Sequence, residues 1–135
     1  MLSPSLETLR LFLHLLGASV WVGGQLVLAG LVPRVRAAHP DALETVARGF
    51  ARVAWPALAV TVVTGVWNIA AVSPSEQGTA YTFTLFVKLL AVGVAAAASI
   101  LHSAGRSKVA LAVGGALGLL ASLAAMWLGV ALAAG

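Results

Sequence analysis

Two ionisable side chains stand inside apolar runs of this chain, and both are of types that can carry chemistry there. His14 lies about two turns into the first long apolar stretch, and Lys88 lies at a similar depth in the third. An ionisable group inside a bilayer costs roughly 2.5–3.5 kcal/mol on insertion scales, so its default reading is functional. An imidazole in that setting can ligate a metal or a haem iron, and an amine can pair with an anion. The bland alternatives are a histidine satisfied by a hydroxyl or carbonyl of a neighbouring helix, and a lysine that snorkels to the outer surface along apolar neighbours.

Neighbouring residues on the same helical faces weight the functional side. At 100° per residue, Arg10, His14, Trp21 and Gln25 fall within about 60° of one another, with Gly17 and Gly24 beside them. In the third stretch Tyr81, Thr84, Lys88, Ser99, His102 and Arg106 form a second stripe of similar width. Polar side chains avoid lipid, so the two stripes are expected to face each other, with Thr61, Thr64 and Asn68 of the second stretch as hydroxyl and amide partners. Met126, on the returning fourth stretch, is expected at the level of His14 and Lys88, and Met1 is a further thioether near it. His102 is expected at the inner interface with Ser99, about 21 Å further along the axis than Lys88. Ligands on opposite sides of one haem iron lie only about 4 Å apart, so His14 and His102 cannot clamp a single metal. His39, beside Pro40, reads as a solvated loop residue.

The elements that must position these groups follow from composition. The 135 residues are 61% hydrophobic and only 9% charged, against roughly 25% in a soluble domain. The length is just enough for four spans of about 20 residues with short connections. The expected fold is all-α, a single integral membrane domain forming a four-helix up-and-down bundle, with spans at about 9–32, 50–72, 82–102 and 109–134. Pro33 is expected to stop the first helix, the Ser73-Pro74-Ser75 turn the second, and Pro56 to bend the second. Ser5 with Thr8 three residues on is the start signal of the first. Arg34, Arg36, Arg48 and Arg52 flank one connection and Arg106 and Lys108 another, whereas the opposite side carries Arg10. The positive-inside rule then places both termini outside and the basic connections in the cytoplasm of a multi-pass plasma (inner) membrane protein. Trp55, Trp67, Trp127 and Tyr81 suit interfacial belts. No cleaved signal peptide is expected, because the first apolar run is long and is preceded by Glu7 and Arg10.

The same residues exclude several function classes. The net charge of +4 is scattered between apolar runs, which does not make a nucleic-acid surface. No cysteine is present, so there is no disulfide framework, thiolate cluster or thiol couple. The four acids, Glu7, Asp41, Glu44 and Glu76, lie outside the apolar spans, against a carboxylate proton relay. No nucleophile–base pair or phosphate-cradling loop is evident, so hydrolysis and phosphoryl transfer are not expected. The small-residue runs Ala95–Ala98 and Gly114, Gly118, Ser122, Ala125 and Gly129 read first as helix–helix contacts inside the bundle and second as a homodimer seam.

Three blocks in chain order carry a family likeness. The run from Leu13 through His14, Gly17, Trp21 and Gly24 resembles the opening helix of the copper-resistance D (CopD) family of membrane proteins. Thr64-Gly65-Val66-Trp67 resembles its "TG" element, and Thr79, Tyr81, Leu85 and Lys88 keep its T-x-Y-x-x-x-L-x-x-K arrangement, with Thr82 where glycine is usual. Many CopD members are about twice as long. The chain is also similar to the short, haem-binding membrane protoporphyrinogen oxidases, which share a histidine seven residues before a tryptophan and a lysine in the third helix. Their P-R-x-x-x-x-H ending reads here Pro33-Arg34 to His39, four residues late. The first resemblance implies copper handling at an outer-leaflet site, with His14 and Met126 as imidazole and thioether ligands and a periplasmic or extracellular copper-binding protein as partner. A protonated Lys88 would oppose that cation. The second implies haem b, with His14 as axial ligand and Arg10 and Lys88 on the propionates. A cofactor-free structural subunit is the third reading. The resemblances rank copper first; the charges favour haem.

Overall fold

The computed structural model describes residues 4–135, so Met1 lies outside the described residues. The protein is all-α. Its described residues form four long helices, α1 (Leu6–Ala38), α2 (Leu43–Val72), α3 (Thr79–Ala104) and α4 (Lys108–Ala134), and contain no strand. Single 3-10 turns at Pro40–Ala42 and Pro74–Glu76 connect them. All four helices are long and apolar enough to cross a membrane. The outward side chains agree: Phe12 is 57% exposed, Phe83 67% and Leu120 64%, which is lipid-facing surface and not the surface of a water-soluble fold.

Contacts divide the chain into two units, Met1–Val72 and Ser73–Gly135, each an antiparallel helix pair. Local chemistry sets the helix ends. The Ser5 hydroxyl accepts from the Thr8 amide at 3.1 Å, and the Thr8 hydroxyl accepts from the Ser5 amide at 3.4 Å, which closes the first turn of α1 reciprocally. Ser107 caps α4 through the Ala110 amide at 3.1 Å. Gly78, at φ +91, turns the chain into α3 in a conformation that a side chain disfavours.

The helices outrun the expected spans. α1 does not stop at Pro33 but continues to Ala38. The proline removes one donor, leaving the Ala29 carbonyl without its helical partner, and Arg34 Nη1 donates to the adjacent Gly30 carbonyl at 3.2 Å. That extra donor and the polar surroundings of Arg34 and Arg36 let the helix run on. α2 likewise begins at Leu43 and not near Phe50, and α3 begins at Thr79.

The two pairs are glued differently. In the first, Trp21, Val22 and Ala54 are buried, with Phe50, Trp55 and Leu58 packed against them. The Trp21 and Trp55 rings lie 5.6 Å apart at 58°, so Trp55 packs into the seam of this pair. In the second, the buried positions are almost all small: Ala95 and Ala98 against Gly114, Gly118, Ala121, Ser122 and Ala125. A Cβ placed on Gly114 would lie 2.8 Å from the His102 nitrogen and 2.9 Å from the Ala98 carbonyl oxygen. The glycine ladder therefore seats α3 of the same chain, the first of its two expected roles, because backbones can approach this closely only where no side chain intervenes.

Candidate functional site

In the first pair the candidate site is built around the imidazole of His14. Its Nδ1 lies 2.9 Å from the Thr61 carbonyl oxygen and 3.1 Å from the Thr64 hydroxyl on α2. A carbonyl can only accept, so Nδ1 carries a proton. The Thr64 hydroxyl is already donating to the Val60 carbonyl at 2.6 Å and therefore also acts as an acceptor towards the ring. Gly65 makes the room: a Cβ there would lie 3.3 Å from His14 Cε1 and 3.7 Å from Nδ1. The Nδ1–Cε1 edge thus faces α2, with Nε2 on the opposite edge of the ring. This is how a protein orients a metal-ligating histidine: a backbone acceptor on one nitrogen fixes the tautomer and raises the basicity of the other.

One helical turn nearer the start of α1, Arg10 is buried to 8% exposure. Its Nη2 is 4.0 Å from the Glu7 carboxylate, and its Nε has no hydrogen-bond partner. Since Thr61 and Thr64 meet His14, Asn68 stands one turn further along α2, at the level of Arg10. Asn68 Oδ1 is likewise buried without a partner. A buried guanidinium is a fixed positive charge, since arginine does not deprotonate in proteins. The rest of the α1 stripe serves packing. Trp21 stacks on Trp55, and the Gln25 side-chain amide donates to the Trp21 carbonyl at 3.1 Å.

The face of α1 beside His14 is not open at Gly17 or Gly24. A Cβ on Gly17 would overlap the Thr61 hydroxyl and lie 2.7 Å from the Ala57 carbonyl oxygen, and one on Gly24 would overlap the Phe50 ring. Those glycines let α2 approach α1, so they leave no room there for a bulky cofactor.

In the second pair Lys88 lies across α4, with Nζ beside Gly129: a Cβ there would be 3.1 Å from Nζ and 3.5 Å from Cε. Tyr81 and Thr84 line a groove of about 360 Å³ with Gln77, Ala80, Ala131 and Leu132. Thr84 donates to the Ala80 carbonyl at 2.9 Å. Ser99 packs against Gly118. His102 is exposed near the α3–α4 connection, its Nδ1 2.6 Å from the Leu111 carbonyl oxygen and its ring over Gly115, which ties the two helices together. Met126 is 41% exposed. Among the described residues no group of three or more His, Cys, Asp or Glu side chains is gathered for a metal ion.

Residue patterns pick out His14, Arg10 and Lys88 but miss the glycines opposite them. Gly65 and Gly129 matter only through what lies across the seam, and the signal for them is register. In an antiparallel pair, residues equally far from the connection face each other, and His14 meets Gly65 and Lys88 meets Gly129 near that mirrored position. Comparison of the chain with protein-family models, with curated proteins and with solved structures returned no match.

Proposed function

We propose that this multi-pass membrane protein holds a redox-active metal centre through Nε2 of His14, and that the centre is haem b. The observation that carries the reading is the donation of His14 Nδ1–H to the Thr61 carbonyl, the kind of backbone contact that orients a ligating imidazole. A single axial imidazole is enough for a haem, whereas copper(I) needs two or more soft donors. The described residues of the first pair offer only one other imidazole, His39, about 37 Å further along α1. Arg10 adds a buried cation one turn from His14, which favours an anionic group such as a propionate and disfavours a bare copper ion. Because α2 fills the space over Gly17 and Gly24, such a macrocycle would have to meet the ring from its Nε2 edge. A bound haem would supply one-electron chemistry. The chain supplies the oriented imidazole, the cation and an apolar surround.

Copper handling is the second reading, favoured by the CopD-like blocks around His14, Thr64-Gly65 and Lys88. It keeps His14 as a ligand, calls on Met126 as the thioether and implies an extracytoplasmic copper-binding partner. Under both readings the protein sits in the plasma membrane with its termini outside, as the arginine distribution favours.

Purification from membranes with haem available tests the pair of readings. A Soret band that disappears in His14→Ala is the expected result. A colourless protein with stoichiometric copper, lost in the same variant, would replace haem by copper. A protein with neither leaves the polar stripes as packing devices.

A further inference from the structure

The second helix pair carries a charge that its own fold does not answer. His102 lies against Gly114 and Gly115, and Ser99 against Gly118, so the register of α3 on α4 places Gly129 level with the backbone of Lys88. The amine is beside Gly129. Lys88 therefore reaches sideways across α4 and does not climb towards the helix ends, as a snorkelling lysine would. Its depth is nine residues into α3, about 14 Å from the start of the helix. Among the described residues the amine makes no ion pair or hydrogen bond, and the acidic side chain nearest to it in sequence, Glu76, precedes α3. An ionisable group at such depth pairs with another charge or with backbone carbonyls, or faces a water-filled cavity, and by default marks a binding site.

One turn above it, towards the start of α3 and the end of α4, lies a groove lined by Gln77, Ala80, Tyr81, Thr84, Ala131, Leu132 and Gly135. Thr84 is one turn above Lys88 on α3, and Leu132 is one turn above Gly129 on α4. At about 360 Å³ the groove has the size of a small-molecule site, with apolar alanine and leucine walls and a phenol and a hydroxyl among them. We infer that this groove binds a small amphipathic carboxylate, its anionic head on the Lys88 ammonium and its apolar body against Ala131 and Leu132. One ammonium matches one monoanionic charge, and Tyr81 and Thr84 line the groove one to two turns above it. Gly129 is a positioning residue: its missing side chain is where the amine lies. The inference uses the second pair alone and goes beyond the metal-centre reading.

The test uses the full chain in phosphatidylcholine nanodiscs, with hexanoate as probe and binding followed by saturation-transfer NMR. Saturable binding is expected for hexanoate and not for hexanol or hexylamine. Lys88→Met, which keeps the stem and removes the charge, should weaken binding by about tenfold or more, the worth of one charge-assisted hydrogen bond. Gly129→Ala should weaken it several-fold by displacing the amine, and His14→Ala should leave it unchanged. Circular dichroism and elution volume verify that each variant is folded. Absence of saturable binding, equal binding by Lys88→Met, or equal binding of hexanol would overturn the inference. Loss of binding in His14→Ala would overturn its assignment to the second pair, whereas a failed haem reconstitution would not touch it.

Discussion

The imidazole of His14 is held by three consecutive features of α2: a carbonyl at Thr61, a hydroxyl at Thr64 and a bare backbone at Gly65. Each makes a separable prediction. Thr64→Val removes one of two acceptors but leaves the Thr61 carbonyl, so thermal unfolding in micelles should show a loss of about 0.5–1.5 kcal/mol, with the Nδ1–H proton retained. Thr64→Ser should restore it. Gly65→Ala pushes a methyl to within 3.3 Å of Cε1, tighter than ordinary contact, so the ring must shift. The expected result is a changed ¹⁵N imidazole spectrum and, on the haem proposal, weakened haem loading. An unchanged spectrum would show that the ring is not seated on α2 as described. At this scale the sequence was informative about the charged and aromatic members, because burial of Arg10 and His14 is costly enough to stand out of an apolar run. It placed Gly129 in a contact ladder and Gly65 in a family block but not the group that each faces, because a glycine in a membrane helix has many uses and only its partner across the seam tells which.

Helix identity was written plainly in the apolar runs, and helix ends less so. Ser5 and Thr8 were a readable start, and the reciprocal cap bears this out. Replacing Ser5 with Ala should cost about 1 kcal/mol locally and speed amide exchange in the first turn of α1, leaving the rest of the helix unaffected. Pro33 was a misleading stop: the donor from Arg34 and the water-compatible residues beyond it outweigh one missing hydrogen bond. The glycines of α1 offer a matched pair of experiments. Gly17→Ala places a methyl into the Thr61 hydroxyl and the Ala57 carbonyl and should destabilise the α1–α2 seam by about 1–3 kcal/mol in micelle unfolding. Gly23→Ala meets nothing within 4 Å and should be neutral or slightly stabilising, since alanine is the better helix former. Equal effects of the two would mean that Gly17 is not a contact position.

For the whole molecule, the excess of arginine and lysine at the α1–α2 and α3–α4 connections sets the expected direction of insertion. The chain has no cysteine, so single ones can be introduced as reporters. A cysteine replacing Glu76 should react with an impermeant maleimide added to intact cells, and one replacing Arg106 should react only after permeabilisation. The reverse pattern would invert the topology. The all-α class and the count of four spans followed from hydropathy and length alone. Grouping into two helix pairs did not, because seam partners depend on side-chain shape: aromatic against alanine in one pair, glycine against backbone in the other.

Each hairpin also closes its own backbone hydrogen bonds and carries its own adhesive surface, with the Ser73–Gly78 turn as the only covalent tie between them. A chain severed at that turn should still give two fragments that insert and stay helical when made separately, since a hairpin in lipid needs no outside donor or acceptor for its main chain. A gene split after Val72 would therefore let each half be varied, labelled or replaced independently, with metal loading followed on one fragment and carboxylate binding on the other.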